Sequence, residues 1–248
     1  MALVLETHSL TKAFGGVMAV MDINVAVTTG EIVGIVGSNG AGKTTFVNLV
    51  TGYLKPDRGH IHYLGQDITG RSPREVTGLG VARSFQIPQI YTSLTVLENV
   101  LIALSARERA SLRPWAPLHT RAREAEALSL LIQFGLAEYA ARPVTDLPEG
   151  GLKFLDVALS TALAPKLLLL DEPTSGVSSK DKFEVMGRLL NVLRERGVTV
   201  IFVEHDMDVV TRYAERVLAF VYGEILADGP PDRVLADAAV RKAVLGWG

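Results

Sequence analysis

The sequence predicts an α/β fold, a mostly parallel sheet covered by helices on both faces, with a helical subdomain set into it. Three observations carry this reading. After about residue 164, apolar strand runs alternate with helical runs: LLLLDEP, KFEVMGRLLNVLRERG, VTVIFVEH, a further helix and RVLAFV. Such alternation argues for buried parallel strands joined by helices. A glycine-rich turn, GSNGAGKT, lies at residues 37–44 between an apolar strand and a helical pattern. Between about Thr95 and Glu138 the apolar residues fall at three- and four-residue spacing, in TVLENVLIAL and REAEALSLLIQFGL, which is the helical period.

Up to about Phe85, strand-like runs alternate with glycine-marked turns. LVLETHSL and INVAVTTGEIVGIVG read as β-rich, with Thr29 and Gly30 turning the chain into a buried strand at Ile32 to Val36. The two predicted helices of the insertion flank RERASLRPWAPLHTR, an arginine-rich elbow broken by Pro114 and Pro117. Its arginines 107, 109, 113 and 121, and Arg123 just beyond it, suit either a solvated face or contact with headgroups or a membrane subunit.

Composition narrows the function. The chain has 248 residues, 48% of them hydrophobic, enough for a well-buried core. Lys and Arg total 25 against 27 Asp and Glu, a formal charge of -2, so no global basic field attracts nucleic acid or anionic lipid. Cysteine is absent, which excludes disulfides and thiolate metal sites and suits a reducing compartment. MALVLETHSLTK lacks the pattern of an export signal. No apolar run reaches the roughly 18 residues of a membrane span, so a membrane role would be exercised from outside the bilayer.

The turn Gly37, Ser38, Asn39, Gly40, Ala41, Gly42, Lys43, Thr44 matches G-x-x-x-x-G-K-[ST] in full. The glycines let the backbone turn tightly with N–H groups inward, and the following helix presents its positive end to the same point. That concavity suits a polyphosphate. Lys43 can bridge the β- and γ-phosphates, the Thr44 hydroxyl can ligate Mg²⁺, and Thr45 can bond a phosphate oxygen.

The apolar run Leu167 to Leu170 ends in Asp171 and Glu172, placing both at the carboxyl edge of the sheet, where open α/β folds bind ligands. Asp171 would hold Mg²⁺, directly or through water, and Glu172 would act as general base toward the attacking water. His205 follows the next apolar strand and should emerge on the same edge, where it can bond a γ-phosphate and sense its loss.

With the glycine-rich loop, Gln86 after SF, LPEGG at residues 147–151, LLLLDEP and EHD occurring in that order, the chain resembles the ABC ATPases over essentially its whole length. The resemblance implies a P-loop NTPase of RecA-like sheet with an antiparallel β subdomain and an inserted helical subdomain. The nucleotide-binding core would comprise 1–87 and 164–248, and the helical part about 88–163. It implies ATP and Mg²⁺ as ligands, Gln86 as a third metal-facing group linked to the helical subdomain, and Phe14 as an adenine-stacking aromatic. A strand-end core role for Phe14 is the competing reading. The partners implied are a second ATPase subunit, identical or not, and transmembrane permease subunits, with no nucleic acid. The stretch from Gln86 to Leu104 would dock the permease, and the protein would sit at the cytoplasmic face of the cell membrane.

Within that family the chain is most similar to the ATPases of branched-chain amino acid and related amide importers, on TSLTVLENVLIA, DEPTSGV and the ending YGEILADGPPDRVLADAAVRKAVLG. It departs from the family's LSGGQ signature, which faces ATP held by the opposite subunit. Leu147 and Gly150 remain, while Pro148, Glu149 and Gly151 replace the serine, first glycine and glutamine. Pro148 offers neither hydroxyl nor N–H, and Glu149 puts negative charge at a helix start. Ser178 stands where many members have aspartate. Two other classes stay open: an ABC ATPase acting on DNA or ribosomes, though coiled-coil insertions, paired ATPase domains and zinc-binding cysteines are lacking, and a P-loop nucleotide kinase, in which Gln86, LPEGG and His205 would have no role.

Overall fold

The computed structural model describes residues 2–84, 89–108 and 117–245. Two sheets form its frame. One is antiparallel, with β1 (Leu3–Phe14), β2 (Val17–Thr28), β4 (Arg58–Tyr63) and β5 (Gln66–Asp67) in the order β2-β1-β4-β5. The other contains β3 (Ile32–Gly37), β6 (Val81–Arg83), β7 (Leu167–Asp171), β8 (Thr199–Val203), β9 (Arg216–Val221) and β10 (Glu224–Gly229), in the order β10-β9-β3-β8-β7-β6. All neighbours in it are parallel except the hairpin partner β10 at one edge.

Strands β3, β7 and β8 are buried at every position, which is why they read as unbroken apolar runs. Their side chains nevertheless alternate between two cores. Val33, Ile35, Leu167, Leu169, Ile201 and Val203 face the antiparallel sheet, together with Phe46, Val47, Leu49 and Val50 of α1 (Lys43–Val50). Ile32, Val36, Leu168, Leu170, Val200 and Phe202 face the opposite way.

Helices do cover both faces, but unequally. On the first face α1 and α2 (Pro73–Leu79) share the cover with the antiparallel sheet. On the second lie α5 (Glu149–Ala162), α6 (Lys182–Glu195), α7 (Met207–Tyr213), α8 (Pro231–Ala236) and α9 (Ala238–Leu245). Their apolar cluster runs without a break into α3 (Val96–Arg107) and α4 (Arg121–Gln133), through Val100, Leu104, Leu130 and Phe134. The helical insertion thus shares the core of the sheet.

Local chemistry explains its start. Thr95 and Glu98 form a reciprocal capping box: Glu98 N–H donates to Thr95 Oγ1 at 3.2 Å and Thr95 N–H to the Glu98 carboxylate at 2.8 Å. The bond from the Thr95 backbone, then that from its hydroxyl, holds the Glu98 carboxyl below the usual range.

Two of the five arginines in and beside the elbow are held by acids and carbonyls of the protein itself. Arg123 is 7% exposed; its guanidinium forks onto Glu108 at 2.9 and 3.0 Å and donates to the carbonyls of Pro117 and Leu118. Arg107 forks onto Glu126 and reaches the Ala162 carbonyl. Both brace the α3–α4 hairpin. Arg121 is exposed, and Arg109 and Arg113 lie outside the described residues.

Candidate active site

Two glycines let the loop between β3 and α1 run close to neighbouring strands. A Cβ on Gly42, at φ +102°, would fall on the carbonyl oxygen of Ala19 in β2, and one on Gly37 would fall on that of Phe220 in β9. The first turn of α1 follows at once, and its unsatisfied N–H groups and positive dipole end favour an anion there.

A cleft of about 290 Å³ opens on this loop. It is lined by the chain from Asn39 to Thr45, by Ala19, and from across by Glu172, Val203 and His205. Lys43 lies buried under it and donates to the carbonyls of Gly37 at 2.7 Å and Ser38 at 3.0 Å. Burial pushes its pKa below the usual lysine value, with the charges of Glu172 and Asp171 opposing part of that shift.

Parallel pairing of β7 with β8 sets Asp171 opposite Val203. One residue on, Glu172 adopts φ +49°, a left-handed conformation uncommon outside glycine and often kept where function needs it. Its N–H is anchored on the Val203 carbonyl at 3.0 Å, and its Oε1 lies 2.9 Å from Nε2 of His205.

Glu204, 4% exposed, fixes this pair from behind. Its Oε1 accepts the N–H and hydroxyl of Thr174 at 2.9 and 2.7 Å, and its Oε2 accepts the N–H of His205 at 3.2 Å. Glu204 therefore ties the turn after Glu172 to the turn after β8. Sequence reading passed over Glu204, although a carboxylate ending a wholly apolar strand was the available signal.

The other predicted residues fall around the cleft in different ways. Asp171 is 7% exposed and does not line it; its Oδ2 is 2.6 Å from Nη2 of Arg83. Phe14, at the end of β1, is 47% exposed and so is no core residue; the Lys12 ammonium lies 5.7 Å from its ring centre. Gln86 lies outside the described residues. Leu147, Pro148, Glu149, Gly150 and Gly151 stand at the start of α5, apart from the cleft, with Pro148 as N-cap and no side-chain capping bond. Glu149 packs over Gly176, where a Cβ would meet its Oε1. The signature-like segment thus abuts the turn after Glu172 in its own chain.

A larger open groove of about 470 Å³ lies between α6 and the end of α4, around Phe183, Arg188 and Gln133. It lacks the loop amides and the acid–imidazole pair, so the chemistry belongs to the smaller cleft. Among the described residues no cluster of three His, Cys, Asp or Glu side chains could hold a metal by itself. The Thr44 hydroxyl and Asp171 carboxylate are hard oxygen donors, and such a sparse set fits Mg²⁺, which takes one or two carboxylates and completes its shell from phosphates and water.

A phosphate cradle ending a parallel strand, faced by a carboxylate and an imidazole from the next strands, defines a P-loop nucleotide hydrolase. The ABC transporter family model matches residues 20–175. The chain is 33% identical to the high-affinity branched-chain amino acid transport ATP-binding protein BraF of Pseudomonas aeruginosa, over 98% of both chains. Its fold is similar to a crystal structure of the ADP conformation of an ATP-binding cassette of an ABC transporter, with TM-score 0.89, 29% identity and full coverage of both chains. A dimeric ATP-binding cassette in a post-hydrolysis state, bound to ADP and Pi, gives TM-score 0.76 at 26% identity, over 92% of this chain and 98% of that one. The chain belongs to the ABC transporter family.

Proposed function

We propose that this protein is the ATP-binding and hydrolysing subunit of a membrane transporter that imports branched-chain amino acids or related small polar solutes. One observation carries the reading: the loop from Asn39 to Thr45 shares a single cleft with the Glu172–His205 pair.

Lys43 and the loop amides hold the β- and γ-phosphates, and Phe14 gives the base a stacking face. The carboxylate of Glu172 takes a proton from water as its oxygen bonds to the γ-phosphorus. The bond to the β–γ bridging oxygen breaks, and ADP leaves with that electron pair. His205 holds the γ-phosphate oxygen and steadies Glu172. Thr44 and Asp171, with Gln86, would hold Mg²⁺, whose charge would offset that of the phosphates.

A second ATPase subunit closes over this site and presents its own signature segment to the γ-phosphate; contacts available only with triphosphate favour closure. The core of 1–87 and 164–248 carries the nucleotide, and the helical part of about 88–163 passes the movement to a permease docked near residues 86–104. Among the described residues no helix is long and apolar enough to cross a membrane; the subunit attaches peripherally, at the cytoplasmic face, through such a partner. BraF's name supports the choice of solute.

The test is purification of the tagged chain from solubilised membranes of its native cell. Co-isolation of stoichiometric hydrophobic subunits with Mg²⁺-dependent phosphate release is expected; recovery with ribosomes or DNA, or phosphate transfer to a small acceptor, overturns the reading.

A further inference from the structure

Arg83, at the end of β6, belongs to none of the motifs discussed so far, yet it joins the two halves of the site. Its Nη2 lies 2.6 Å from Asp171 Oδ2, and its Nη1 donates to Oδ1 of Asn48 in α1, the helix that begins at Lys43. Its carbonyl accepts the Ser160 hydroxyl of α5 at 3.1 Å, and its guanidinium carbon lies 5.9 Å from the centre of the Tyr53 ring. The side chains of Arg83 and Asp171 are each 9% exposed. A planar guanidinium can hold two acceptors in fixed directions at once; an ammonium is a point donor and cannot reproduce that fork.

We propose that Arg83 is a positioning residue for the metal-binding carboxylate, its fork locking Asp171 of β7 to Asn48 of the phosphate-loop helix, so that strand and loop present one fixed set of oxygens to magnesium. This rests on reading the site as a magnesium-dependent ATPase. Asp171 is engaged by Arg83 through Oδ2, and Lys43 feels the Asp171 charge as a neighbour. Without the fork the carboxylate is free to rotate out of the geometry the metal needs. The direct phosphate contacts, which belong to Lys43 and the loop amides, are untouched.

The test uses the full chain, a fluorescent ATP analogue and titration with Mg²⁺. Arg83→Lys keeps the charge and loses the fork; Asn48→Ala cuts only the arm to α1 and leaves the buried ion pair. Both variants are expected to bind the analogue in EDTA as the parent does. The Mg²⁺ concentration that half-saturates the magnesium-dependent rise in affinity should increase about tenfold or more in Arg83→Lys, the usual cost of losing a group that orients a metal ligand. Asn48→Ala should shift in the same direction by less. Folded variants that share the parent's half-saturating Mg²⁺, whatever their melting temperatures, overturn the proposal. Failure of the parent itself to bind the analogue would instead refute the ATPase reading.

Discussion

Glu172 and His205 owe their 2.9 Å contact to a strand register, an unusual φ and a buried carboxylate behind them, so the pair is built rather than incidental. Replacing Glu172 by Gln keeps size and shape and removes the base. Phosphate release should fall by on the order of 100-fold or more, the weight of a positioned general base, while affinity for the nucleotide stays near that of the parent. A stopped assay of released phosphate beside a binding titration checks this, and undiminished release would take the base role from Glu172. Lys43, Glu172 and His205 could be picked out in the sequence because each is announced locally, by a strand followed directly by a glycine loop or a polar end. Glu204, a polar strand end of the same kind, was passed over, and Arg83 could not be picked out, since what gives it meaning is a partner 88 residues away.

The start of α5 is the element where sequence and expectation diverge most. Pro148 caps it without a side-chain bond and Glu149 opens its first turn, where an anion on the facing subunit would otherwise be welcome. On the proposed dimer this makes the site that the chain offers its partner the weaker one. Pro148→Ser restores one hydroxyl donor, worth about 1.5 kcal/mol toward a charged group. Turnover of the assembled complex should then rise about tenfold, and no gain in the correctly paired dimer would show that the segment is not limiting. Elements with long periodic patterns, such as α3, α4 and α6, were legible beforehand. The short α2 was not, although Ser72, Pro73 and Glu75 spell its capping box. Nor was β10, whose alternation is confined to one edge hairpin. Arg107 and Arg123 show the limit of reading charge from a helix face: their acidic partners sit on the facing helix, which spacing alone does not reveal.

Across the whole molecule, α1 is the piece that makes the parts cooperate. It lies in the core shared by both sheets through Phe46, Val47, Leu49 and Val50, begins at Lys43, the proposed phosphate ligand, and is tied through Asn48 to β6 and β7. The parallel sheet was foreseeable because buried strands write continuous apolar runs. The antiparallel sheet was foreseen only through the family resemblance, because pairings such as β1 with β4 join segments some fifty residues apart and leave only a local alternation in each. Everything converges on the ammonium of Lys43, which supplies charge where the loop amides supply geometry. A binding titration of Lys43→Ala with a fluorescent ATP analogue, made beside a circular dichroism check of folding, isolates that group. Affinity should fall by on the order of 100-fold, the weight of about two charge-assisted bonds, with phosphate release lost; a folded variant that binds and cleaves ATP like the parent would contradict this assignment of the site.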